Sequence, residues 1–116
     1  MPFNEQLAER VRTQLDKMET PPVSERKMFG GLAFLVNDKM CINVSGDRLM
    51  CRFDAAVTEQ LSKRRGYMPV EMKGRIYKGY CYVEPEGFKS KKDFEFWVQL
   101  CLDFNHKARS SKKKVS

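Results

Sequence analysis

Apolar positions recur along the chain with two different periods, and the change between them marks the elements. Phe3, Leu7, Val11, Leu15 and Met18 are spaced by four and three, the repeat of one helix face, and Asn4 stands where its side chain can cap the first free backbone amides. Pro21-Pro22 stops that helix. From Glu25 to Phe53 the period falls to two. Asn37-Asp38 and Gly46-Asp47 are natural centres of two-residue hairpins, so this stretch predicts three or four antiparallel strands.

Each turn fixes a register, and each register fixes which side chains share a face. A loop at Gly46-Asp47 sets Val44 opposite Leu49, Ile42 opposite Cys51 and Met40 opposite Phe53. A loop at Asn37-Asp38 sets Leu35 opposite Met40 and Ala33 opposite Ile42, continuing the same apolar face. The reverse face then holds Leu32, Phe34, Val36, Cys41 and Met50 beside the polar Asn43 and Arg52.

Asp54 can cap a short helix from Ala55 to Arg65, with Val57 and Leu61 inward and Gly66 at its left-handed end. Lys63-Arg64-Arg65 falls at the negative end of that helix dipole, a structural reason for cations there. Met68, Val70 and Met72 alternate as one strand and Tyr77 to Val83 form another, joined through Lys73-Gly74-Arg75, and Glu84-Pro85-Glu86-Gly87 ends the sheet. Ser90 caps a last helix carrying Phe94, Trp97, Val98, Cys101 and Leu102. Phe96, Leu100 and Phe104 widen its apolar stripe beyond what one sheet requires, which predicts contact with more than one surface. The order of elements gives an α+β two-layer fold: an antiparallel sheet of about five strands with helices on one face.

At 116 residues with 41% hydrophobic content, the chain suits one globular domain, here residues 1–106. Neither a membrane-spanning run nor a secretory leader is visible, so a cytoplasmic protein is expected. Twenty-two basic residues against 15 acidic ones give a net charge of +7. Five of the basic residues fall in residues 107–116, a Ser/Lys tail expected to be disordered. Residues 1–106 keep 17 basic against 15 acidic, only +2.

Little in the sequence suggests a reactive centre. The single histidine, His106, adjoins the tail, and Glu84 and Glu86 belong to a turn. Cys41, Cys51, Cys81 and Cys101 show no C-x-x-C spacing, and the register above points Cys41 away from Cys51. Buried free thiols are therefore expected rather than a metal site, a disulfide or a nucleophile. Gly30-Gly31 lacks the spacing and following helix of a phosphate cradle and reads as a bulge or bend. Tyr77, Tyr80 and Tyr82, interleaved with Arg75 and Lys78, read as sheet packing because alternation divides them between faces. Neither an enzyme activity nor a cofactor is expected.

Three segments, Lys27-Met28-Phe29-Gly30-Gly31-Leu32-Ala33-Phe34, Val44-Ser45-Gly46-Asp47-Arg48-Leu49 and Lys78-Gly79-Tyr80-Cys81-Tyr82-Val83-Glu84-Pro85-Glu86-Gly87, together resemble the N-terminal domain of the TfoX (Sxy) family. The resemblance runs from about Phe3 to Phe104. It implies an α+β domain similar to secretion chaperones and an association with the regulation of natural competence in bacteria, without catalysis or cofactor. The longer regulators add a helix-hairpin-helix domain and are associated with the cyclic-AMP receptor protein. In this sequence the Lys-rich stretch stands in that domain's place.

The expectation is thus a non-catalytic interaction module, homodimeric, with a protein partner such as a transcription regulator and with Phe34, Met50, Phe96 and Leu100 as contacts. The alternative is nucleic-acid binding through Lys63, Arg64, Arg65, Arg75 and Lys78 on the folded body and Lys112, Lys113 and Lys114 in the tail.

Overall fold

The computed structural model describes residues 3–18, 20, 22–28 and 30–107, Met72 by its backbone alone. Helix α1 (Glu5–Lys17) begins where Asn4 Oδ1 accepts the Leu7 amide at 3.0 Å. It turns Leu7, Ala8, Val11 and Leu15 inward, the face set by their spacing. Six strands follow: β1 (Val23–Met28), β2 (Gly31–Val36), β3 (Lys39–Ser45), β4 (Arg48–Arg52), β5 (Tyr67–Met72) and β6 (Arg75–Val83). They form one antiparallel sheet in the order β1-β2-β3-β4-β6-β5. The α+β two-layer reading holds, with six strands where the sequence suggested about five.

The helix expected over Ala55 to Arg65 is shorter. A 3-10 turn (Ala55–Val57) leads into a single turn of α-helix, α2 (Thr58–Leu61), and the chain then bends through Gly66 at φ +84°. A second 3-10 turn (Pro85–Gly87) precedes α3 (Lys91–Asn105), which is capped by Ser90 Oγ accepting the Asp93 amide at 3.1 Å.

Both hairpin centres are where the sequence set them, and β3–β4 keeps its register, Val44 facing Leu49 and Ile42 facing Cys51. The β2–β3 pairing differs. Leu35 faces Met40 as expected, but Phe34 rather than Ala33 faces Ile42, and Ala33 faces Asn43. The extra residue is Cys41, a β-bulge, and it exchanges the two faces of β2.

Leu32, Phe34, Val36 and Cys41 therefore join Ile42, Val44, Leu49, Cys51 and Phe53 under the helices, with Trp97 and Val98 of α3 packed on them. Ala33, Leu35, Met40 and Met50 go to the other side, where Val70 completes a second cluster flanked by Met28, Tyr80 and Tyr82. Among the described residues, strands alone build this second cluster.

Helix α3 is the keystone of the helical layer. Its Asn105 amide, buried, donates to the carbonyls of Val36 and Lys39 at 3.3 and 3.4 Å, and the Trp97 indole N–H donates to the Gly87 carbonyl at 3.1 Å. It contacts β3, β4 and α1, which accounts for the breadth of its apolar stripe.

Candidate functional site

The bulge decides where the expected contact residues lie. Phe34 is 0% exposed and Met50 2%, one in each cluster. Both are spent on holding the fold and neither offers a surface. Phe96 and Leu100 are half-buried at the margin of the helical layer. The Arg64 guanidinium lies 3.7 Å from the Phe96 ring centroid, close enough for a cation–π contact, and Phe96 meets Trp97 edge-on at 5.3 Å.

The cysteines correct another expectation. Because Cys41 is the bulged residue, it turns toward the helices instead of away from Cys51. Cys101 of α3 lies beside both Cys41 and Cys51, and Cys51 faces Cys81, its partner across β4 and β6. All four are buried free thiols. The hydrogen bond to Cys101, reinforced by burial, pushes the Cys41 thiol up, and burial first, then contact with Cys101 and Cys81, does the same for Cys51. Burial opposes ionisation of Cys101, while its interactions with Cys41 and Cys51 favour it and bring that thiol below its usual range. Enclosed among Phe34, Trp97 and Val98, these thiols have no access to a substrate. Among the described residues no group of three or more His, Cys, Asp or Glu side chains is placed to hold a metal ion.

The glycine pair is used for packing. A Cβ on Gly31 would lie 2.1 Å from the Val44 carbonyl oxygen, so β2 and β3 approach as closely as they do only because that atom is missing. Beside it the fully buried Asn43 donates to the Met28 carbonyl at 3.0 Å, and its Oδ1 has no partner among the described residues. His106 is exposed at the end of α3, and Glu84 is an ion-pair partner of Arg48 at 3.7 Å.

The surface that remains apolar lies at the β5–β6 hairpin. β6 pairs with β4 only from Tyr80 to Val83, leaving Arg75 to Lys78 beyond the end of β4. Pro69 faces Cys81, but Glu71 faces Ile76, so the register slips by three residues and Tyr77-Lys78-Gly79 bulges. Gly79 makes this possible. At φ +87° it suits glycine, its carbonyl accepts the Phe53 amide at 2.9 Å, and an added Cβ would crowd the Phe53 oxygen at 3.2 Å. Past this kink Ile76 is 62% exposed and Tyr77 39%, and Met68 on β5 is 46% exposed. The sequence reading missed these residues as contacts because alternation alone assigned them to sheet packing.

The expected cationic patch divides. Lys63, Arg64 and Arg65 precede the start of β5, whereas Arg75 pairs with Met72 at its far end and Lys78 lies in the bulge. A six-residue strand at ~3.3 Å per residue puts roughly 20 Å between the two groups. Lys112, Lys113 and Lys114 lie outside the described residues.

Among the described residues no helix is long and apolar enough to cross a membrane. No curated protein matches the sequence. The family model of the TfoX N-terminal domain matches residues 13–105, spanning the sheet, α3 and part of α1. The chain belongs to the TfoX N-terminal domain family.

Proposed function

We propose that this protein is a non-catalytic interaction module, similar to the N-terminal domains of competence regulators, that acts as a homodimer in transcription-related regulation and contacts its partner through the β5–β6 hairpin. One observation carries the reading: three of the large exposed apolar side chains, Met68, Ile76 and Tyr77, belong to this hairpin, while the other apolar residues of the sheet are largely consumed inside the fold. Exposed apolar side chains gathered on one element are a usual mark of a protein contact. The buried thiols and the solvent-facing His106 support a role without chemistry, and four free cysteines suit a reducing compartment such as the cytoplasm.

Sedimentation equilibrium tests this. The wild-type chain should self-associate, and Ile76→Asp should be monomeric, with the melting temperature that the wild type shows at concentrations low enough to be monomeric. A wild-type chain that stays monomeric at the highest attainable concentration, or an Ile76→Asp variant that still dimerises, refutes the hairpin contact.

A further inference from the structure

The fold assembles a cationic face from segments that are distant in the sequence. Gly66 and Gly87 are in backbone contact: a Cβ on Gly66 would lie 2.8 Å from the Gly87 Cα, and one on Gly87 would lie 2.4 Å from the Arg65 carbonyl oxygen. This brings Lys63-Arg64-Arg65 alongside Lys89, Lys91 and Lys92, all exposed. Arg64 spans the two segments, 3.6 Å from Asp93 and stacked on Phe96.

On the other flank Arg10 donates to the Phe88 carbonyl at 3.1 Å and lies 4.0 Å from the Phe94 ring centroid. Together with Lys17 and Lys91 it lines a groove of about 460 Å³ between α1 and α3. Several nearby acids are already paired, Asp93 with Arg64, Glu9 with Arg12 and Glu84 with Arg48, while Glu59, Glu86 and Glu95 also flank these segments.

The cluster concentrates much of the positive charge of the folded body. Residues 1–106 carry only +2 overall, yet six of their 17 cations, Lys63, Arg64, Arg65, Lys89, Lys91 and Lys92, gather here. Three of those lysines flank the N-cap of α3, the end of a helix dipole where cations are disfavoured. An anion held at this face would offset the position of those lysines at the positive end of α3.

We infer that this face binds the phosphate backbone of nucleic acid. An acidic protein fits less well. Protein interfaces are depleted in lysine and centred on apolar anchors, and of the large exposed apolar residues only Met68 is near, three residues beyond Arg65. Val23 is on β1 at the opposite edge of the sheet, and Ile76 and Tyr77 follow the far end of β5. Phosphate contacts need only cations and release counterions. The face adjoins the start of β5 but not the Ile76–Tyr77 end of the hairpin, so Ile76→Asp and the lysine variants test the two contacts independently.

Fluorescence anisotropy with a short labelled DNA duplex of mixed sequence, across a salt series, tests it. The full-length chain should bind at low salt. Combined Lys89→Gln, Lys91→Gln and Lys92→Gln should weaken binding at least tenfold, and the slope of log affinity against log salt should become shallower by roughly 0.9 for each phosphate that the variant no longer neutralises. Arg75→Gln with Lys78→Gln should leave binding unchanged. All variants should keep the wild-type circular dichroism, since the side chains are exposed. The inference is overturned if the triple variant binds like the wild type or if Lys112→Ser, Lys113→Ser and Lys114→Ser abolish binding alone. It is equally overturned if the chain binds polyglutamate but not DNA.

Discussion

The two ends of β6 present one strand in two environments. From Tyr80 to Val83 it lies between β4 and β5, with Cys81 and Val83 fully buried under the helices. From Arg75 to Lys78 it pairs with β5 or bulges, and Ile76 and Tyr77 face solvent. The buried half is apolar or aromatic throughout, whereas the exposed half sets Ile76 and Tyr77 between Arg75 and Lys78. Composition, the number of neighbouring strands and one glycine kink together separate core from contact surface.

The contrast breaks most severely from the buried side. Phe34 and Trp97 are completely enclosed in the same cluster as Cys81 and Val83, so Phe34→Ala or Trp97→Ala should lower unfolding free energy by about 3–5 kcal/mol in urea titration. Gly31→Ala forces a carbon toward the Val44 carbonyl and should cost about 1–3 kcal/mol by the same measurement. Thiol chemistry sharpens the point. Ellman's reagent should find all four cysteines unreactive in the native protein and reactive in denaturant, because each is enclosed and burial opposes thiolate formation at Cys41 and Cys51. A thiol that reacts rapidly in the native state would contradict the packing described.

Surface changes should do far less. Arg12 donates to both Glu25 carboxylate oxygens, at 2.6 and 2.8 Å, and this holds the Glu25 carboxyl below its usual range. A depressed folded-state pKa gives stability that is present above the unfolded carboxylate range and is lost as pH falls through the folded value. Both side chains are substantially exposed, so the pair should contribute under about 1 kcal/mol. Glu25→Gln should remove that part of the acid dependence and leave stability at neutral pH nearly as it was. Ile76→Asp, at the solvent-facing end of β6, should remove self-association and change the unfolding free energy of the monomer, measured at low protein concentration, by no more than about 0.5 kcal/mol.

Much of the fold was legible in the sequence because local chemistry determined it. Asn4, Asp54 and Ser90 cap as expected, Asn37-Asp38 turns with both residues at positive φ, and the β3–β4 register follows from its loop. The bulge at Cys41 was not legible. Cys41 and Ile42 are both apolar, so a strand shifted by one residue still shows an apolar face, and hydrophobic alternation cannot register the insertion. That single residue sent Phe34 under the helices and Leu35 to the opposite cluster, and with it went the expected contact surface. The three-residue slip at Tyr77-Lys78-Gly79 was hidden in the same way, its trace in the sequence being Gly79 among aromatic residues. The union of Lys63-Arg64-Arg65 with Lys89, Lys91 and Lys92 depends on a contact between Gly66 and Gly87 that no local pattern encodes.

Amide hydrogen exchange at increasing protein concentration probes most directly whether partner contact lies at the solvent-facing end of β6. Protection should rise with concentration across Arg75, Ile76, Tyr77 and Lys78 and stay constant along α3. Unchanged exchange in the hairpin, with slowing confined to the turns of α3 that carry Phe96 and Leu100, would show that the contact surface is the helical margin instead.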